Sequence, residues 1–138
     1  MTAIASKSPV AQGSSRVLTW AGRVVSALPV IALAGSATAK LTQQPKLIEA
    51  MTTHLGYQAD TITAIAVVEV LVTLLYVVPQ TAFLGAALLT AYLGGIVATH
   101  VRVGDPFALP VVLGVLVWLG LYLRDERLRA LAPIRRAA

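Results

Sequence analysis

One carboxylate, Glu69, stands inside a stretch whose nearest formally charged neighbours are Asp60 and Arg102. A carboxylate near the middle of an apolar helix costs a few kcal/mol on insertion scales, so it must be protonated, paired or turned toward water. Thr73 and Tyr76 follow it by four and seven positions and share its helical face. The stripe reads either as a hydrogen-bonded packing device or as an acid/base site. Lys40, His100 and Arg102 fall at the ends of neighbouring apolar segments. With antiparallel spans they reach one face of the membrane, with Glu69 about 12 Å below it by helix rise. Lys40 or His100 could pair with Glu69. Arg102 could receive an anionic or carbonyl-bearing head group, or pair with Asp105.

Other chemistries are excluded or unsupported. Cysteine is absent, which removes disulfides, thiolate metal sites and thiol redox chemistry. The two histidines, His54 and His100, have no metal-ligand spacing, so His100 reads as an interfacial residue and no metal site is expected. No motif assigns a cofactor; quinone and haem both stay open. There is no phosphate-cradling glycine loop, no G-x-S-x-G elbow and no H-E-x-x-H helix.

The elements that position these residues follow from composition. The 138 residues are 57% hydrophobic and 12% charged with a net charge of +5, where soluble domains carry about 25% charged residues. Charge-free runs extend over 24–39, 70–101 and 106–123, near the roughly 20 residues that span a bilayer. Disorder, nucleic-acid binding and a soluble enzyme are therefore poor readings. The expectation is an all-α polytopic membrane four-helix bundle. It comprises a flexible arm over 1–16, a membrane domain over 17–123 with spans near 17–39, 61–78, 82–99 and 106–123, and a basic tail over 124–138. The 32-residue run divides at Pro79-Gln80-Thr81, a tight turn between antiparallel neighbours. Pro29 should kink or open the first span. A competing reading makes the first span a secretory signal cleaved at Ala37-Thr38-Ala39.

Between the first two spans, Pro45 suits a helix start, Gly56 a helix stop, and Leu47, Ile48, Met51 and Leu55 recur at helical spacing, which predicts a short interfacial helix. His100 to Asp105 reads as a loop, and Asp105-Pro106 as N-cap and first residue of the last span. Four spans place both termini on one side. That side would carry eight cations against Lys40, Lys46 and Arg102 on the other, so the positive-inside rule puts both termini in the cytoplasm. The basic tail suits anionic lipid rather than nucleic acid. Small residues at four-residue spacing, Ala87-Ala91-Gly95 and Ala86-Thr90-Gly94-Ala98, predict that the third span is the central helix, without separating a monomer from a homo-oligomer or a partner subunit. Trp20, Tyr57 and Tyr122 suit an aromatic belt.

The run Leu75-Tyr76-Val77-Val78-Pro79-Gln80-Thr81-Ala82-Phe83-Leu84-Gly85-Ala86, then Leu89-Thr90-Ala91-Tyr92-Leu93-Gly94-Gly95 and Ala98-Thr99-His100-Val101-Arg102-Val103-Gly104, resembles the DoxX-like family of small bacterial membrane proteins. Ala39-Lys40-Leu41, Leu55-Gly56-Tyr57, Glu69 and Leu121-Tyr122-Leu123-Arg124-Asp125 extend the likeness over most of 20–130. The resemblance implies a four-helix inner-membrane protein of the DoxX/DoxD group, named for a subunit associated with thiosulfate:quinone oxidoreduction. It singles out Lys40, Glu69, His100 and Arg102 as the family's polar landmarks, and so as the binding residues to test. The expected role is an accessory or lipophile/quinone-binding component of a membrane redox system. A membrane enzyme using Glu69 as acid/base, and a purely structural subunit, are the alternatives.

Overall fold

The computed structural model describes residues 9–131, the side chains of 9–14 excepted. Its elements are α1 (Pro9–Leu41), α2 (Pro45–Glu49) running into a π-helical turn (Ala50–His54), α3 (Ala59–Val77), α4 (Ala82–Val103), α5 (Ala108–Arg124) and α6 (Glu126–Leu131). Among the described residues there is no strand. α1 begins at Pro9, so helix reaches into the segment expected to be a flexible arm; proline suits a first turn because its φ is preset and it has no N–H to satisfy. Residues 1–8, and the Arg135-Arg136 end of the expected basic tail, lie outside the described residues. α1 runs on through Pro29, whose ring is fully buried.

Three helices, over Ser15–Leu41, Ala59–Val77 and Ala82–Val103, are long and apolar enough to cross a membrane, and the 17-residue α5 is a shorter apolar helix. The outer surface is apolar: Ile31, Leu71, Phe83 and Val115 are each more than half exposed. The buried groups include the polar Ser26, Lys40, Glu69 and Thr73. An apolar exterior around polar interior groups suits lipid as solvent.

α1 packs along α5 and α3, and α4 packs along α3 and α5, giving a ring α1–α3–α4–α5 with α1 and α4 diagonal. The expectation of a central α4 is therefore corrected. Its inward face is Ala82, Ala86, Leu89 and Leu93, whereas Ala87, Ala91, Gly94, Gly95 and Ala98 are exposed. A strict four-residue repeat advances 400° and drifts about 40° per step, so it leaves the face on which it starts. The glycines that permit close approach are others. A Cβ at Gly120 would stand 2.3 Å from Ser26 Oγ, one at Gly22 2.5 Å from the Arg124 amide nitrogen, and one at Gly85 2.2 Å from the Tyr76 amide nitrogen.

Tyr76 joins these contacts into one knot. Its hydroxyl donates to the Val117 carbonyl on α5 at 2.7 Å, so the Ser26 hydroxyl on α1, at 2.9 Å, must donate to it. Arg124 Nη2 donates to the Tyr76 carbonyl at 2.8 Å, and the guanidinium lies 4.6 Å over the phenol ring. Tyr76→Phe removes both hydroxyl bonds and is expected to lower stability by about 1–2 kcal/mol in a denaturant titration of the detergent-solubilised protein. An unchanged midpoint would refute this role.

Candidate functional site

Glu69 lies in the third turn of α3, on the face that also buries Ile62, Ala66, Thr73 and Tyr76. It is 0% exposed, and its Oε2 receives the ammonium of Lys40 at 2.7 Å, itself only 6% exposed. Lys40 closes the last turn of α1 and also donates to Ser36 Oγ, one turn earlier, at 2.5 Å. The ion pair thus ties α1 to α3 with the lysine held by its own helix. The second carboxylate oxygen, Glu69 Oε1, is buried without a fully formed hydrogen bond among the described residues. Tyr92 on α4 is close enough to feel the charge of Glu69, and Tyr57 lies near Tyr92 in turn. The Tyr92 hydroxyl interacts with the Glu69 carboxylate as a side-chain partner, but among the described residues no donor reaches full hydrogen-bond geometry at Oε1.

The predicted stripe of Glu69, Thr73 and Tyr76 is buried along its length, yet it is not one network. Thr73 donates to the Glu69 backbone carbonyl at 2.6 Å, one turn earlier, and Tyr76 serves the knot described above.

His100 and Arg102 bond neither Lys40 nor Glu69. Both belong to the last turn of α4, not to a loop, because the helix stops only at Gly104, whose φ of +76° is the left-handed cap geometry that glycine adopts freely. His100 Nδ1 meets the Ile96 carbonyl at 2.8 Å, within its own helix. Arg102 Nη2 donates to the Leu55 carbonyl. The suggested Arg102–Asp105 pair is replaced: Asp105 Oδ2 meets His54 Nε2 at 2.8 Å. Asp105 does not cap α5, because the helix starts later than expected, at Ala108, which puts Phe107 at the N-cap with no side-chain cap.

Arg102, Asp105 and Thr99, whose hydroxyl bonds the Tyr57 hydroxyl at 2.8 Å, therefore tie residues 54–57 to the end of α4. The short helix expected after Pro45 forms and continues as the π turn, with Met51 buried. This segment caps the end of the bundle that carries Lys40. Tyr57, expected in an aromatic belt, is thus bonded inward. Tyr92, Ser36 and Thr99 were missed as polar partners. Ser36 at four residues before Lys40 was a readable signal, whereas nothing local marks Tyr92.

These features define a membrane-type helical bundle that is apolar without, has a few polar groups buried in an apolar core, and is held across α1 and α3 by a buried lysine–glutamate pair. Within that class the chain belongs to the DoxX-like family, whose model matches residues 24–120. The match begins inside α1, includes Lys40, Glu69, His100 and Arg102, and ends inside α5. No curated protein and no solved structure matches the chain.

Proposed function

We propose that this DoxX-like protein crosses the bacterial inner membrane four times, with both termini cytoplasmic, and binds the polar end of a lipophile of the quinol class at Lys40 and Glu69. It would do so as an accessory component of a membrane redox system. Glu69 Oε1 carries the reading: it is a buried carboxylate oxygen with a lysine on its sister atom, the Tyr92 hydroxyl beside the carboxylate and, among the described residues, no donor in full hydrogen-bond geometry. Leaving such an acceptor unpaired costs about 1–3 kcal/mol or more, and a ligand hydroxyl recovers that cost. Lys40 supplies the complementary group, since an ammonium has three protons and only two are engaged here, by Ser36 and Glu69.

The donor chemistry favours a quinol hydroxyl over a quinone carbonyl at Oε1, because a carboxylate oxygen accepts and does not donate. His54 and His100 are held by Asp105 and by the Ile96 carbonyl, an arrangement that favours the lipophile over haem. α5 is shorter than the other apolar helices but coincides with the charge-free run 106–123, which supports a fourth crossing. The distribution of cations along the chain supports the cytoplasmic placement of both termini.

The test is titration of the full-length protein in nanodiscs with a short-chain quinol, its quinone and its dimethyl ether, read by calorimetry. The quinol should bind more tightly than the ether, which cannot donate. Glu69→Gln should weaken quinol binding by about tenfold or more, the worth of a charged hydrogen bond. Equal affinity of quinol and ether, or a folded Glu69→Gln protein that binds as wild type, would sink the proposal. The pair's buried position between α1 and α3 also favours a second reading, a packing device, which predicts lost stability in Glu69→Gln and no binding of any of the three probes.

A further inference from the structure

At the other end of the bundle, α1, the α3–α4 turn and the α5–α6 junction border an open pocket of about 500 Å³. Three arginines line it from three segments: Arg23 on α1, Arg124 at the end of α5 and Arg127 on α6, with Gln80 from the turn. Arg124 is fixed. Its Nη2 is spent on the Tyr76 carbonyl and its plane rests on the Tyr76 ring, while its buried Nε has no partner. The side chains of Arg23, Arg127 and Gln80 have no hydrogen-bond or ion-pair partner among the described residues.

The two carboxylates in the same wall have partners of their own and leave the lining with three guanidinium groups against two carboxylates. Asp125 Oδ1 caps α6 by accepting the amides of Arg127 at 2.9 Å and Leu128 at 3.4 Å. Glu126 accepts the Ser15 hydroxyl and lies 3.8 Å from Arg129. What remains is a set of exposed donors without protein acceptors among the described residues, at the edge where α3 ends and α4 begins, α5 ends, and α1 passes.

We propose that this pocket binds a phosphate group. Guanidinium groups contributed by three separate segments suit the several oxygens of a phosphate better than the two of a carboxylate, and Arg is the side chain whose fork pairs with phosphate oxygens. The volume exceeds that of a bare phosphate and accommodates its ester substituent. Two sources share this chemistry: the head group of an anionic phospholipid, and a free phosphate from solution. The site is separate from Lys40 and Glu69 and does not rest on their proposed role.

Native mass spectrometry of the full-length protein in neutral detergent, titrated with phosphatidylglycerol or phosphatidylcholine, tests this. Phosphatidylglycerol should be retained preferentially, and the Arg23→Gln, Arg127→Gln double variant should weaken it by about fivefold for each cation removed. Those two side chains make no internal bonds, so the variant should keep its helical circular dichroism and its melting profile. Arg124→Gln should weaken retention as well, through a group that is half-buried. Lys46→Gln, at the opposite end, should leave retention unchanged.

Competition by millimolar inorganic phosphate assigns the site to a free anion, and its failure to compete assigns it to the lipid head group. Both outcomes support a phosphate site when the double variant is impaired. Equal retention of the two lipids with no effect of inorganic phosphate, a double variant that binds as wild type, or equal weakening by Lys46→Gln would overturn the proposal.

Discussion

Replacing Lys40 with methionine is expected to destabilise the bundle by roughly 3–5 kcal/mol, the usual consequence of leaving one member of a buried ion pair uncompensated. The cost arises because Glu69 is 0% exposed and, among the described residues, only the neutral Tyr92 hydroxyl is left beside its charge. Ser36, the lysine's other partner, gains nothing from the substitution. The double change Lys40→Met, Glu69→Met should recover most of the loss, since an apolar pair of similar volume escapes the desolvation that two charges incur. Denaturant titration in mixed micelles, across the wild type, both single variants and the double variant, measures the coupling directly. Single variants within about 1 kcal/mol of wild type would show that the pair is not energetically coupled. A pair optimised for stability alone would satisfy both carboxylate oxygens. The unpartnered Oε1 is what a packing role leaves unexplained and a ligand role uses.

The second large effect concerns glycines of opposite behaviour. Gly120→Ala should destabilise by roughly 1–3 kcal/mol, the range for overpacking. A Cβ there would meet not only Ser26 Oγ but also the Ser26 backbone nitrogen at 2.8 Å and Cα at 3.0 Å. Backbone cannot rotate away, so α1 and α5 must separate, and the Ser26–Tyr76 bond goes with them. Gly95→Ala should be neutral or stabilising by up to about 1 kcal/mol from helix propensity, because nothing lies within 4 Å of a Cβ at that position. Thermal melts of both variants, with oligomeric state followed by light scattering, provide the check. A Gly120→Ala protein that melts with wild type would refute the close α1–α5 crossing. A Gly95→Ala protein that loses stability together with self-association would reveal that α4's outer stripe meets a second copy.

These pairs of residues show what could be read from the chain and what could not. Glu69 was legible because a carboxylate amid apolar residues has few places to go, and the interior of a bundle is the main one. Lys40 was legible as one of two candidate partners, and only three-dimensional adjacency chooses it over His100. The helices followed from charge-free runs and from the Pro79 turn. Their order around the ring did not, because small-residue spacing marks permissive faces without saying which face has a neighbour. Gly22 and Gly120 sit beside charged or bulky residues and carry no such pattern, yet they make the close approach of α1 to α5. The boundary error at His100 and Arg102 has a local cause. A loop was read where α4 continues by one turn, since its true stop is the left-handed Gly104 and not the polar residues before it. The roles of Asp105 and Tyr57 depend on contacts with residues some 40 to 50 positions away, His54 and Thr99, which no local spacing encodes.

The ring order has a consequence for how the chain is made. The α3–α4 hairpin, joined by a four-residue turn, can assemble as soon as both helices have left the ribosome, since its contacts are close in sequence. α1 is synthesised first but finds its largest partner last, because Gly22 meets the backbone of Arg124 about a hundred residues later. Until α3 emerges, Lys40 has no counter-ion, and until α5 emerges, Ser26 and Tyr76 have no Val117 carbonyl to complete their chain of hydrogen bonds. Closure of the ring is thus a late step in biogenesis, and a nascent chain paused before α5 holds its first helix beside α3 alone.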